Sequence, residues 1–195
     1  MRKLVLMVGL IATLLVASGC SMSPVGSSTP SPSQSQTLAI PTVAPSLIPT
    51  SDPATLVGVD PTPYLTDLGS YLFKVGDGPA WCTIAPKYNM TLCEQTGMTA
   101  QYPPVPIPDS CQYSEGYQVQ LWDTPPTDGG PQVFFPCASG PFMDPINAPI
   151  LASGQSMTVG AITCYVKDVT ARCDSPNGAF IAFGPKVWAL SSAPN

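Results

Sequence analysis

The stretch Gly154-Gln-Ser-Met-Thr-Val-Gly-Ala-Ile-Thr-Cys-Tyr-Val-Lys-Asp-Val-Thr-Ala-Arg-Cys-Asp174 decides the fold. If Cys164 faces Cys173 on neighbouring antiparallel strands, the turn between them centres on Asp168-Val169. One face of this hairpin then carries Ile162, Cys164, Val166, Ala171 and Cys173. The other face carries Thr163, Tyr165, Lys167, Thr170, Arg172 and Asp174. An apolar and a polar face predict a half-buried hairpin, and a change of phase near Gly160 predicts a β-bulge there.

Short runs of β-branched and aromatic residues continue on both sides of this hairpin, separated by proline and glycine. The runs are 71–75, 81–84, 90–93, 117–122, 133–135, 156–166, 169–173, 179–183 and 187–190. Short strands at regular spacing with turn signals between them are typical of all-β domains. The sequence therefore predicts an all-β domain over residues 64–195, a small disulfide-braced sandwich or barrel of short antiparallel strands.

Six cysteines lie in the predicted domain, and an even number in an exported chain indicates a disulfide framework. By counting alone, 15 pairings are open. Placing Cys82 opposite Cys93 centres a second hairpin turn on Lys87-Tyr88, and Cys164 pairs with Cys173 as above. Cys111 and Cys137 then pair by elimination.

The two cysteine hairpins show a faint internal repeat. Val75-Gly76, Cys82 and the stretch 90–94 parallel Val159-Gly160, Cys164 and the stretch 169–174. Two disulfide-closed hairpins of similar sequence could pack with approximate two-fold symmetry.

The first twenty residues are typical of a lipoprotein signal peptide. Met1-Arg2-Lys3 is basic, residues 4–16 are apolar, and Ala17-Ser-Gly-Cys20 resembles a bacterial lipobox. Cleavage before Cys20 would remove residues 1–19 and leave the cysteine as a lipidated N-terminus, palmitate included. The mature chain would carry 5 basic and 12 acidic side chains, so that the acyl chains rather than anionic headgroups would hold it on the membrane.

Residues 20–63 are rich in Pro, Ser and Thr, and all sixteen aromatic residues lie at Tyr64 or later. A segment without aromatic side chains buries too little apolar surface to offset the entropy of ordering, so residues 20–63 are predicted to form a disordered tether.

Composition excludes several functions. A formal charge of −5 argues against nucleic-acid binding, which depends on basic residues that neutralise phosphates. The chain contains no histidine, which rules out Ser-His-Asp and Cys-His catalysis. Paired carboxylates remain, and Glu94 with Asp174 is the best pair for a glycan hydrolase, although solvated acids at strand ends are the simpler interpretation.

Three further motifs each have a functional and a structural interpretation. Asp128-Gly-Gly130 could belong to a calcium loop but is more typical of a turn. The Pro103–Pro108 stretch could bind an aromatic groove but more often covers the edge of a core. Trp81, Trp122 and Trp188 could line a sugar or lipid surface. Both faces of the hairpin around Trp81 are apolar, however, which favours a buried strand or an exposed patch that binds a partner.

The order of these motifs resembles a family, a three-disulfide domain found in exported proteins and lipoproteins of actinobacteria. The residues that carry the resemblance are 71–94, 102–111, 134–137, 151–173 and 178–180, of which Gly154–Cys164 is the most specific. The resemblance implies the adjacent pairing of cysteines and no particular reaction.

These observations predict a lipid-anchored protein on the extracytoplasmic face of the cell membrane. Its domain is expected to be a non-catalytic binding or scaffold module, with an envelope protein or a glycan as partner and without nucleic acid. No catalytic, cofactor-binding or metal-binding residue is predicted, and no cofactor. The alternatives are an extracytoplasmic enzyme that uses carboxylates and a carrier of an apolar ligand.

Overall fold

A computed structural model describes residues 47–50, 55–104, 111–112, 117–137 and 140–191. The predicted signal peptide, Cys20 and most of the predicted tether lie outside the described residues, as do positions 105–108 of the proline-rich stretch. In the described part the chain is all-β, as predicted, with short 3-10 turns at Thr62–Tyr64 and Pro86–Tyr88. No helix among these residues has the length and apolar character needed to cross a membrane.

In the described part of the chain, twelve strands form two six-stranded sheets whose inner faces share one core. In chain order the strands are β1 (Val57–Val59), β2 (Tyr71–Val75), β3 (Trp81–Ala85), β4 (Met90–Glu94), β5 (Gln118–Trp122), β6 (Val133–Phe134), β7 (Ile150–Leu151), β8 (Gln155–Val159), β9 (Ile162–Lys167), β10 (Thr170–Asp174), β11 (Phe180–Gly184) and β12 (Val187–Leu190). Sheet 1 has the order β6-β5-β4-β3-β2-β7, and sheet 2 has the order β1-β8-β9-β10-β11-β12.

The two sheets have the same construction. Each contains a five-stranded antiparallel meander, β2 to β6 in sheet 1 and β8 to β12 in sheet 2. Each meander gains one parallel strand beside its first strand, and that strand comes from just before the other meander in the chain: β7 pairs with β2, and β1 pairs with β8. The two halves of the domain thus exchange one strand each.

Equivalent positions in the two meanders carry equivalent bonds. Cys82 lies opposite Cys93 in β3 and β4, and Cys164 lies opposite Cys173 in β9 and β10. Both pairs are disulfide-bonded, as is Cys111 with Cys137, so the bonds join the cysteines that the sequence paired. Such bonds form in oxidising compartments, which is consistent with an extracytoplasmic location.

The two hairpin disulfides meet in the centre of the core. Their sulfurs are fully buried, and the Sγ atoms of Cys82, Cys93 and Cys173 all lie within 4.8 Å of one another. Apolar side chains from both sheets surround them, among them Phe73, Ile84, Leu121, Met157, Ile181 and Phe183.

The predicted β-bulge near Gly160 is wrong. Val159 pairs directly with Ile162, so Gly160 and Ala161 form a two-residue turn that ends β8 and starts β9. Gly160 has φ +58°, a left-handed conformation that suits glycine in a tight hairpin turn. The change of phase in the sequence therefore marks a turn between two strands rather than an irregularity within one.

The domain also begins earlier than residue 63, where the predicted tether ends. Residues Val57–Val59 form β1, because the first strand of the second meander supplies backbone partners from Gln155 to Met157. Further upstream, the carbonyl oxygen of Pro49 accepts hydrogen bonds from Tyr165 and Arg172 on sheet 2. Backbone pairing thus orders β1 although it contains no aromatic residue.

Two equivalent glycines give a matched test of how the halves contact each other. Gly76 and Gly160 both follow the first strand of their meander, with φ of +55° and +58°. A Cβ on Gly76 would lie 2.3 Å from the carbonyl oxygen of Asp168, whereas no atom lies within 4 Å of one on Gly160.

We expect Gly160→Ala to lower the free energy of unfolding by about 1–2 kcal/mol through backbone strain alone. Gly76→Ala should cost about 1–3 kcal/mol more because backbone must move. Equal losses in urea unfolding would contradict this packing.

The buried disulfides predict a second ranking. Loop entropy alone assigns about 2.5 kcal/mol to Cys164–Cys173 and about 3.5 kcal/mol to Cys111–Cys137, whose sequence separations are 9 and 26. Replacing Cys164 and Cys173 by Ala also leaves a cavity beside the other core disulfide, whereas Cys137 is exposed. We therefore expect the double alanine variant of the core pair to lose at least as much unfolding free energy as that of the outer pair. A clearly larger loss for the outer pair would show that loop entropy dominates.

Candidate functional site

The outer face of sheet 1 is covered by the loop that follows β6. Because Cys82 and Cys93 point into the core, their neighbours Trp81 and Glu94 point to the opposite side of the sheet. Residues 135–137 and 140–143 lie over that face, and we call these two described pieces the covering loop. Glu94 is only 1% exposed beneath it. The expectation of a solvated acid at the strand end is therefore wrong for Glu94.

The carboxylate of Glu94 fastens the covering loop to the sheet. Its Oε1 accepts a hydrogen bond from Trp81 Nε1 at 2.8 Å, and its Oε2 accepts one from Gln118 Nε2 at 2.9 Å. The backbone N–H of Phe142 donates to both oxygens, at 3.2 and 3.0 Å. Burial raises the pKa of Glu94, and these donors oppose the rise. Because both oxygens are engaged, the carboxylate serves as a structural clamp.

Asp174 occupies the equivalent position in sheet 2 but has different surroundings. It accepts a hydrogen bond from the Arg172 guanidinium at 2.7 Å and is about a quarter exposed. Since Glu94 and Asp174 project from opposite outer faces of two sheets that pack about 10 Å apart, their carboxylates do not converge on one substrate. The predicted repeat gives the two acids equivalent positions. Because these positions lie on the outer faces of two different sheets, the two carboxylates point away from each other.

The chain itself covers the region of sheet 2 around Arg172. Tyr165 Oη and Arg172 Nη1 both donate to the carbonyl oxygen of Pro49, at 3.3 and 3.2 Å. The guanidinium also lies 3.9 Å from the centre of the Phe180 ring. The hydroxyl of Tyr165 and the guanidinium of Arg172 are thus engaged within the chain.

Sheet 1 presents an open cleft beside the Glu94 clamp. Its volume is about 420 Å³, and we call it the glutamine cleft. It is lined by Met90, Leu92, Gln118, Gln120, Pro136, Cys137, Gly140, Pro141 and Phe142. None of these lining side chains is charged.

Gln120 is the distinctive polar residue of the glutamine cleft. Its side chain lies between Leu92 of β4 and Phe134 of β6 and is only 6% exposed. Within the described part of the chain its amide makes no hydrogen bond, but both of its polar atoms keep contact with solvent, so a donor and an acceptor face the cleft. A ligand in the cleft could replace water as the partner of both groups.

Gln118 forms the border between the glutamine cleft and a much smaller cavity of about 30 Å³. Its Nε2 is held by Glu94 and by the carbonyl oxygen of Gly140 at 2.9 Å. Its Oε1 and that of Gln95 are both buried without a partner, and both residues line the small cavity. A cavity of this size fits one water molecule, whose two hydrogens would match the two acceptors.

An exposed aromatic pair adjoins the glutamine cleft. Phe142 lines the cleft and is 39% exposed, and Tyr88 packs edge-on against it with ring centroids 6.1 Å apart. The third disulfide fixes the same region, because Cys137 belongs to the lining and is bonded to Cys111. The cleft therefore combines two amides, an aromatic rim and a braced wall.

The remaining candidates from the sequence have structural roles. Asp128 accepts a hydrogen bond from the Gly130 N–H in a turn, its simpler interpretation. The three tryptophans do not share a surface: Trp81 bonds Glu94, Trp122 stacks on Phe134, and Trp188 packs in the core against Phe135. Among the described residues, the only three clustered metal-ligand atoms are the sulfurs of Cys82, Cys93 and Cys173, which are engaged in disulfides.

No family model, curated protein or solved structure matches this chain.

The two glutamines were not recognised from the sequence. The stretch Tyr117-Gln-Val-Gln-Leu-Trp122 alternates glutamine with valine and leucine, which already places Gln118 and Gln120 on one face of a strand. The alternation therefore predicts that Gln118 and Gln120 share one face of the strand. The burial of this face depends on the covering loop, which the alternation does not reveal.

The Glu94 clamp predicts a dependence of stability on pH. Because burial holds the folded pKa above the unfolded value, the folded state retains a proton that the unfolded state has lost. The Glu94 contribution is therefore most favourable below the unfolded pKa and falls as the pH rises through the folded pKa. In Glu94→Gln this part of the pH slope should vanish. At pH 7 the variant should also lose about 1–3 kcal/mol, because an NH₂ group replaces an acceptor among donors.

The measurement is urea unfolding of both proteins from pH 4 to 8. Asp174→Asn is the matched control at the equivalent, more exposed position, where we expect a loss within about 1 kcal/mol. Equal losses for the two variants at pH 7 would contradict the clamp.

Proposed function

We propose that this protein is a non-catalytic binding module, held at the extracytoplasmic face of the cell membrane by a lipid on Cys20, and that the glutamine cleft is its ligand site. The observation that carries the proposal is the amide of Gln120, which bonds no described residue and faces an open cleft of about 420 Å³. A ligand that pairs with this amide would replace water as its hydrogen-bond partner.

The arrangement of the acids favours binding over catalysis. The carboxylate of Glu94 lies beside the glutamine cleft, and its oxygens are taken by Trp81, Gln118 and Phe142. Asp174, its sequence partner in the enzyme alternative, projects from the other sheet and pairs with Arg172. The chain contains no histidine, and the described residues that line the cleft place no general base there.

The apolar-carrier alternative has less support. The inner faces of the two sheets are filled by core side chains and by the two hairpin disulfides. The glutamine cleft, by contrast, lies outside the sheets and is bordered by amide groups.

Attachment through Cys20 rests on the sequence of the first twenty residues. Ala17-Ser-Gly-Cys20 follows a basic start and an apolar run, and a mature chain of net charge −7 would gain nothing from anionic headgroups. Two or three acyl chains would give a durable anchor, since each buried methylene contributes about 0.8 kcal/mol.

The anchor predicts that Cys20→Ala moves the protein from the membrane fraction to the soluble fraction. Fractionation of cells and detergent phase partitioning measure the shift, with Ser18→Ala as a matched control that leaves the lipidated cysteine in place. Retention of the Cys20→Ala protein in the membrane would contradict lipid anchoring.

A further inference from the structure

We infer that the glutamine cleft binds a neutral sugar ring, either as a free saccharide or as one unit of an envelope glycan. This inference rests on the proposed function and specifies its ligand. It is argued from the charge, the polar groups and the apolar surfaces of the cleft.

The cleft selects an uncharged ligand. Among the described residues, those that line it include no acid and no base, and the nearby Glu94 carboxylate is held beneath the covering loop by four hydrogen bonds. A charged group brought into the cleft would lose water without gaining a counter-ion. Charged lipids and acidic or basic peptides are therefore poor ligands.

The amide of Gln120 matches a pair of neighbouring hydroxyl groups. A glutamine side chain offers a carbonyl acceptor and an NH₂ donor side by side, and a hydroxyl group can donate and accept at once. Two adjacent hydroxyls of a sugar ring can thus satisfy both ends of the amide together. This ligand would supply the partners that Gln120 lacks within the described part of the chain.

The apolar side chains that line the cleft match the C–H faces of a sugar ring. A pyranose ring presents C–H groups on its faces, and these pack on aromatic and aliphatic side chains. Leu92 and Met90 lie on the strand next to Gln120, and Phe142 offers a partly exposed ring supported edge-on by Tyr88. Amides beside an exposed aromatic ring therefore present both kinds of surface that a sugar requires.

The wall of the cleft is held in place within the chain. Glu94 and Gln118 bond the backbone of Phe142 and Gly140, and the Cys111–Cys137 disulfide fixes the start of the covering loop. A site that is already ordered loses little entropy on binding. The volume of about 420 Å³ is within the usual range for small-molecule sites.

The first experiment uses the full chain with Cys20→Ser, labelled with ¹⁵N and with its disulfides intact. Cellobiose and N,N′-diacetylchitobiose are the saccharide probes, and N-acetyl-alanyl-alanine amide is a neutral peptide probe. NMR follows the side-chain amide signals of Gln118 and Gln120. We expect a saccharide to shift both signals, with the peptide probe causing no shift.

The second experiment compares Gln120→Leu with Gln101→Leu, a control glutamine that is exposed and outside the cleft. Gln120→Leu should weaken saccharide binding by at least roughly tenfold. Its unfolding free energy should stay close to that of the parent, because the amide that is removed bonds no described residue and contacts solvent in the cleft. Gln101→Leu should change neither quantity.

The outcomes separate the inference from the proposed function. If neither saccharide shifts the glutamine signals, the sugar inference is overturned. If the peptide probe shifts them instead, the sugar inference fails and the cleft remains a binding site. If a saccharide binds equally well to Gln120→Leu, both the inference and the placement of the site are wrong. Co-sedimentation with isolated envelope glycan then distinguishes a polymer-bound sugar from a free one.

Discussion

Two disulfides stacked in the centre of the core determine how the rest of the domain is arranged. With Cys82–Cys93 and Cys164–Cys173 facing each other between the sheets, every side chain on the four strands that carry them has an assigned face. The neighbours of the cysteines must then point outward. The positions of Glu94 and Asp174, and with them the character of both outer surfaces, follow from that single constraint.

The same strand position acquires different chemistry according to what covers it. In sheet 1 the covering loop brings backbone N–H groups to Glu94, which becomes a buried clamp. In sheet 2 the segment around Pro49 brings a carbonyl oxygen, which engages Arg172 and leaves Asp174 as an accessible ion-pair partner. Related strands can therefore support an open cleft on one side of the domain and an internal contact on the other.

Local signals in the sequence predicted the local structure. Alternation around Cys164 and Cys173 gave the hairpin, its two faces and its disulfide, because a strand has a side-chain period of two. The same reasoning predicted a bulge at Gly160, where the structure has a two-residue turn. A turn and a bulge both shift the alternation of apolar residues by one position, so the sequence pattern does not distinguish them. The pairing of β1 with β8 joins residues about 100 positions apart and leaves no periodic signal in either segment. The burial of Glu94 likewise depends on a loop that begins some 40 residues later.

The exchange of β1 and β7 between the halves has a consequence for how the chain becomes folded as it is made. Synthesis proceeds from the N-terminus, so β1 emerges long before β8, its hydrogen-bonded partner. Strand β1 cannot join sheet 2 until β8, which begins at Gln155, has been synthesised. A folding intermediate that contains only the first meander would expose the apolar inner face of sheet 1, which sheet 2 covers in the folded domain. Chaperones that hold the chain open until its C-terminal meander arrives would therefore protect it from aggregation.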